Sequence, residues 1–123
     1  MEWKEARELI EGKIIEGTDL NTDKSTHRFV TSVGDIRDSK RYQYRSEKGF
    51  VVKIGKSDHI SIPWKMLEKC FSPLSSGKGY DGNYFREFFC KQRKDHYCHV
   101  HVVGQVFVRA GIAKQKNATY TQS

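Results

Sequence analysis

HYCHVHVVGQVFVRAGIA, residues 96–113, carries two competing periods. Val106, Val108 and Ala110 alternate as in a strand. Val100, Val103, Phe107 and Ala110 recur at three and four, with Gly111 placed to end a helix. The second pattern is the longer, and it predicts a helix from about His96 to Ala113. Its apolar stripe suits a seam between subunits.

Upstream, the pattern is helical twice more. Pro63 fits the first turn of a helix, and Trp64, Leu67, Cys70 and Phe71 share one face. Ser72-Pro73 and the glycine stretch are expected to break it. Asn83 can cap a second helix through Tyr84–Cys90, and residues 91–95 read as a basic connection. Before Pro63 the period is two. Residues 28–33, 41–45, 50–54 and 60–62 read as short strands, with turns at 46–49 and 56–59.

At the start, Trp3, Ala6, Leu9 and Ile10 predict an amphipathic helix over 2–12, ending near Gly12, then a strand over 13–16 and a polar loop over 17–27. Residues 114–123 read as a frayed polar tail. The order is an N-terminal helix, an antiparallel meander and C-terminal helices. That is an α+β chain, one domain over 1–123, with the C-terminal helices expected to form an oligomer interface.

Composition narrows the partners. The chain is 37% hydrophobic with net charge +7. Residues 1–27 hold four Lys/Arg against seven Asp/Glu, a net −3, and residues 28–123 hold eighteen against eight, a net +10. Such a body attracts anions, whether nucleotides, nucleic acid or acidic surfaces. No run reaches the ~20 apolar residues of a membrane span. The acidic start is not a secretory signal, so a cytoplasmic location is expected. Three cysteines, Cys70, Cys90 and Cys98, do not make a disulfide framework.

Four chemistries compete. Gly77–Gly82, GKGYDG, has the letters of a dinucleotide loop, but it follows a helix and an antiparallel sheet, which excludes a Rossmann site. It reads as a mobile connector before a helix. His96-Tyr97-Cys98-His99-Val100-His101, with Cys90 nearby, holds zinc-ligand types without a recognised spacing, so no metal and no cofactor is expected. No paired carboxylates or nucleophile turn is present, so the chain is not read as an enzyme. Arginines set among apolar residues remain: Arg28 before Phe29, Arg86 between Phe85 and Phe88, and Arg109 after Val108. Such arginines can fork onto phosphate and stack on a base.

The stretch from Ile62-Pro63-Trp64 through HYCHVHVVGQVFVRAGIA, with Arg28 and Arg109, resembles the phage Thoeris anti-defence protein 1 family. The resemblance spans most of the chain and rests on no highly specific short motif. It implies a sponge that binds a cyclic ADP-ribose isomer without cleaving it. It further implies sequestration of cyclic oligonucleotides in some members, homo-oligomers of dimer size or larger with pockets between subunits, and a place in the host cytoplasm during infection. Arg28 and Arg109 would contact the diphosphate or stack on adenine, and a pocket shared between chains would let them come from different subunits. Phe89 and His99 have the ten-residue spacing of the family's aromatic and polar ligand residues, with histidine where the family can offer asparagine. The alternative is a small basic DNA- or RNA-binding module; a sponge is expected to ignore long nucleic acid.

Overall fold

The computed structural model describes residues 1–23, 26–36 and 47–123. The order is α1 (Trp3–Lys13), β1 (Arg28–Asp35), β2 (Lys48–Ile54), β3 (Asp58–Pro63), α2 (Trp64–Ser75), α3 (Gly82–Asp95), α4 (His99–Arg109), β4 (Ala113–Lys116) and β5 (Thr119–Gln122). It is the expected α+β arrangement. The expected strand over 41–45 lies outside the described residues.

The sheet is a β1-β2-β3 antiparallel meander. Its inner face buries Val30, Phe50, Val52, Ile60 and Ile62. The register slips between Val30 and Ser32, where Thr31 Oγ1 donates to the Val51 carbonyl at 3.1 Å. Lys48 and Gly49, read from sequence as turn residues, belong to β2.

At the N-terminus, α1 runs past Gly12, and no strand forms at 13–16. Ile14 is the C-cap of α1, with its N–H on the Ile10 carbonyl, and it is buried with Ala6 and Ile10. The chain then turns, and the first part of the expected loop lies along β1. Gly17 N–H donates to Val30 O, Val30 N–H to Thr18 O, and Leu20 N–H to Arg28 O, at 2.7–3.0 Å. These bonds cover a strand edge that would otherwise stay unpaired.

Pro73 does not break α2, which continues to Ser75. A proline removes the N–H that would bond the carbonyl four residues back, here that of Lys69. The Tyr84 hydroxyl donates to that same carbonyl at 2.7 Å. The freed acceptor is therefore satisfied from α3. That helix is capped by Asp81, not Asn83: the Asp81 carboxylate accepts from the Tyr84 N–H at 3.0 Å. Residues 91–95 are helical, beyond a break at Phe89 (φ −138°, ψ 45°).

The central helix is α4, shorter than expected and buried on nearly every side. It packs against α1, α3 and β4. Val100, Val103 and Phe107 are fully buried and Ala110 nearly so within their own chain. The stripe expected to form a subunit seam is therefore consumed by the core.

The C-terminal tail is the largest correction. Residues 113–122 form a hairpin turning at Asn117 (φ 56°) and Ala118. Tyr120 projects from it into the core, fully buried, with its ring flat on Gly104 of α4. A Cβ at Gly104 would collide with that ring. Tyr120 also exchanges two backbone bonds with Tyr80, each 2.8 Å. That pairing ties down the glycine stretch. Gly77 and Gly79 take φ of 81° and 84°, which glycine alone adopts freely, and deliver Tyr80 to the hairpin and Asp81 to the α3 cap. The Tyr80 hydroxyl donates to the Val100 carbonyl at 2.8 Å. GKGYDG is a hydrogen-bonded joint between α2, α3 and the hairpin, anchored by the buried Tyr80, rather than a mobile connector.

Candidate functional site

Beside the start of β1 lies a wide-mouthed cleft of about 330 Å³, walled by Arg28, Thr26, His27, Asp58 and Cys98. Three chain segments make it. Arg28 opens β1, with its N–H on Asn21 Oδ1 at 2.6 Å and its carbonyl accepting from Leu20. Asp58 opens β3, opposite Ile54 at the β2–β3 turn. Cys98 is the N-cap of α4. The Gly55 N–H donates to the His27 carbonyl at 2.9 Å and ties that turn to the segment before β1.

A polar stripe runs back from this cleft along α4. His101, Gln105 and Arg109 are spaced by four, so they share one face of a helix otherwise filled with valine. Tyr120 meets this stripe. Its hydroxyl accepts from Gln105 Nε2 at 3.4 Å and lies 2.9 Å from His101 Nδ1. A hydroxyl that accepts from Gln105 can donate onward to His101, which requires the neutral ring. Burial lowers the His101 pKa, and the Arg28 charge lowers it further. Gln105 also donates to Gln115 Oε1 at 2.9 Å, locking the hairpin to α4.

Arg28 dominates the electrostatics. Burial raises the pKa of Cys98 and of Tyr120, and Arg28 opposes both shifts. Thiol, phenol and imidazole are therefore all uncharged at neutral pH, and none of them neutralises the guanidinium. Arg28 Nη1 is buried and has no hydrogen-bond partner among the described residues. A buried unpaired charged donor costs free energy unless a ligand or solvent satisfies it. Gln105 Oε1 is a second buried orphan, on the stripe behind.

The predicted residues fall into two groups within one chain. Arg28 and Arg109 both bear on Tyr120. Arg109 is engaged locally: Nε donates to Asp19 O at 2.8 Å and Nη2 to Asn21 O at 3.0 Å. It clamps the segment whose Asn21 side chain holds the Arg28 N–H. Phe89 and His99 each pack against Phe85 instead, with ring centroids 5.2 and 5.9 Å from it. Phe89 occupies the break in α3. His99 is buried, and its Nδ1–H donates to the His96 carbonyl at 2.9 Å. Burial lowers its pKa to about 4. Arg86 is exposed on α3 and does not line the Arg28 cleft.

In sequence Cys98 stands out only as a zinc-ligand type among the histidines, and Asp58, Gln105 and Tyr120 carry no assigned role. Of these only Gln105 had a local signal, its spacing from His101 and Arg109. Among the described residues no group of three or more His, Cys, Asp or Glu could hold a metal ion. No described helix is long and apolar enough to cross a membrane. No family model, curated protein or solved structure matches the chain.

Proposed function

We propose that this protein is a non-catalytic binder that sequesters a cyclic ADP-ribose-type signal, such as glycocyclic ADP-ribose, and so blocks a bacterial anti-phage defence. The observation that carries the reading is Arg28. Its side chain lines the cleft and keeps one buried nitrogen, Nη1, without a partner among the described residues, and the cleft's one carboxylate, Asp58, forms no ion pair with it among those residues. A phosphate oxygen is the natural acceptor for it.

The cleft volume, about 330 Å³, is at the low end for small-molecule sites. One chain therefore covers part of a dinucleotide-sized ligand, and a second copy is proposed to close the rest. Phe29, exposed on β1 next to Arg28, offers an apolar contact for it. The Phe89–His99 pair would reach the ligand from that second copy only through Phe89, since His99 is interior. Cyclic oligonucleotides are the second ligand class proposed, on the strength of the net +10 over residues 28–123.

The test is direct. The protein is titrated with glycocyclic ADP-ribose by calorimetry, then heat-denatured, and the released nucleotide is analysed. Tight binding with intact ligand recovered is expected, and Arg28→Ala should abolish it. Absence of binding, or recovery of a linear product, defeats the proposal. Strong, steeply salt-dependent binding to long DNA or RNA would favour a nucleic-acid-binding module instead.

A further inference from the structure

The Arg28 cleft also carries a carboxylate. Asp58 is exposed at the first residue of β3, on the cleft wall, and among the described residues only its backbone is committed, to the ladder opposite Ile54. Arg28 and Asp58 share the cleft, yet no ion pair joins them among the described residues. Burial raises the pKa of Cys98, on the same cleft wall; Arg28 lowers it and Asp58 raises it further. The cleft thus presents a cation and an anion separately, each with capacity left over.

That pairing selects a ligand. A bare polyanion would meet attraction at Arg28 and repulsion at Asp58. A molecule with phosphate at one end and hydroxyl donors at the other satisfies both. A carboxylate accepts two hydrogen bonds at once and is the usual partner of ribose hydroxyls in nucleotide sites. We infer that Asp58 is a specificity-determining residue, accepting from the furanose hydroxyls of a ligand whose phosphate Arg28 holds. This rests on reading the Arg28 cleft as a nucleotide site, but not on the ligand being cyclic.

The experiment uses the full chain with three probes: AMP, 2′,3′-dideoxy-AMP and inorganic pyrophosphate. Binding is followed by NMR titration, with the amides of Arg28, Asp58 and Cys98 as reporters. The wild type should prefer AMP over its dideoxy analogue by about tenfold or more, as expected for hydrogen bonds to a charged acceptor. Asp58→Ala should reduce that preference to within about twofold while tightening pyrophosphate binding. Asp58→Asn, which keeps one acceptor, should fall between. The side chain is exposed, so a melting temperature equal to wild type is expected in both variants. Unchanged discrimination in Asp58→Ala overturns the inference. So does a wild type that ignores the missing hydroxyls, or that does not bind AMP. If AMP discrimination holds while glycocyclic ADP-ribose fails to bind, the sponge reading falls and the role of Asp58 stands.

Discussion

Replacing Gly104 by alanine isolates the contact on which the C-terminal hairpin depends. In a solvent-exposed helix the change would stabilise by about 1 kcal/mol, because alanine is the better helix former. Here the new methyl group lands on the Tyr120 ring, against three of its carbons. The obstruction is a rigid aromatic face, so it cannot be cleared by a small rotation of a flexible chain end. Overpacking of this kind costs about 1–3 kcal/mol if the ring shifts in place. Full expulsion of a buried tyrosine, roughly 200 Å² at ~25 cal/mol per Å², costs up to about 5 kcal/mol. Loss of the hydroxyl contacts to His101 and Gln105 adds about 1 kcal/mol. Offset by the helix gain, Gly104→Ala should destabilise by about 2–4 kcal/mol, a fall of roughly 10 °C in Tm for a chain of this size. Tyr120→Ala alone should cost about 3–5 kcal/mol. The double variant should cost well under the sum, by about 2 kcal/mol, since the methyl group then occupies vacated space. Urea denaturation of the four proteins completes the cycle. A neutral or stabilised Gly104→Ala, or strict additivity within about 0.5 kcal/mol, would refute the packing described for Tyr120.

Other outcomes follow from particular bonds. Tyr84→Phe leaves the Lys69 carbonyl without its hydroxyl donor beside Pro73, and should cost about 1 kcal/mol by urea denaturation. The same change in a Pro73→Ala background should cost less, because the backbone then supplies the donor. Arg109→Ala should speed amide exchange over residues 17–23 and weaken ligand binding less than Arg28→Ala, since its guanidinium clamps Asp19 and Asn21. Equal loss of affinity in the two variants would place Arg109 on the ligand instead. For pH, His99 has its folded pKa depressed from 6.5 to about 4, so between those values the unfolded chain binds a proton that the folded chain refuses. Stability from this group is complete above pH 6.5 and falls as pH drops toward 4, by up to about 3 kcal/mol. His99→Gln should flatten that part of the stability profile; an unchanged slope would show that other groups carry it.

What was legible in the sequence was what short-range pattern determines. Apolar spacing at three and four found α1, α2 and α4, and alternation found β1, β2 and β3. Gly111 was read correctly as the residue past the end of α4: its N–H bonds the Val108 carbonyl, with φ at 79°. The hairpin was hidden because eight of its residues between Lys114 and Ser123 are polar. Its burial depends on one aromatic, Tyr120, meeting one glycine sixteen positions earlier. Pro73 misled for a similar reason, since the group that replaces its missing N–H sits eleven residues downstream. Arg28 and Arg109 stood out because arginine is conspicuous among apolar neighbours. Asp58 and Cys98 lie in ordinary turn and cap sequences, and only the tertiary arrangement brings them to one cleft.

The hairpin also imposes an order on biosynthesis. Translation is vectorial, and residues 113–122 leave the ribosome after every helix and strand they seal. Until they arrive, the nascent chain exposes the glycine of α4 and the Tyr80 backbone that Tyr120 must occupy. His101 and Gln105 then face water rather than a phenol. The clamp and cleft near Arg28 form against that same helix. A polypeptide stalled before residue 113 would thus carry α1–α4 and the meander without the hairpin that packs on them. Completion of the packing around α4 waits on the moment β5 folds back.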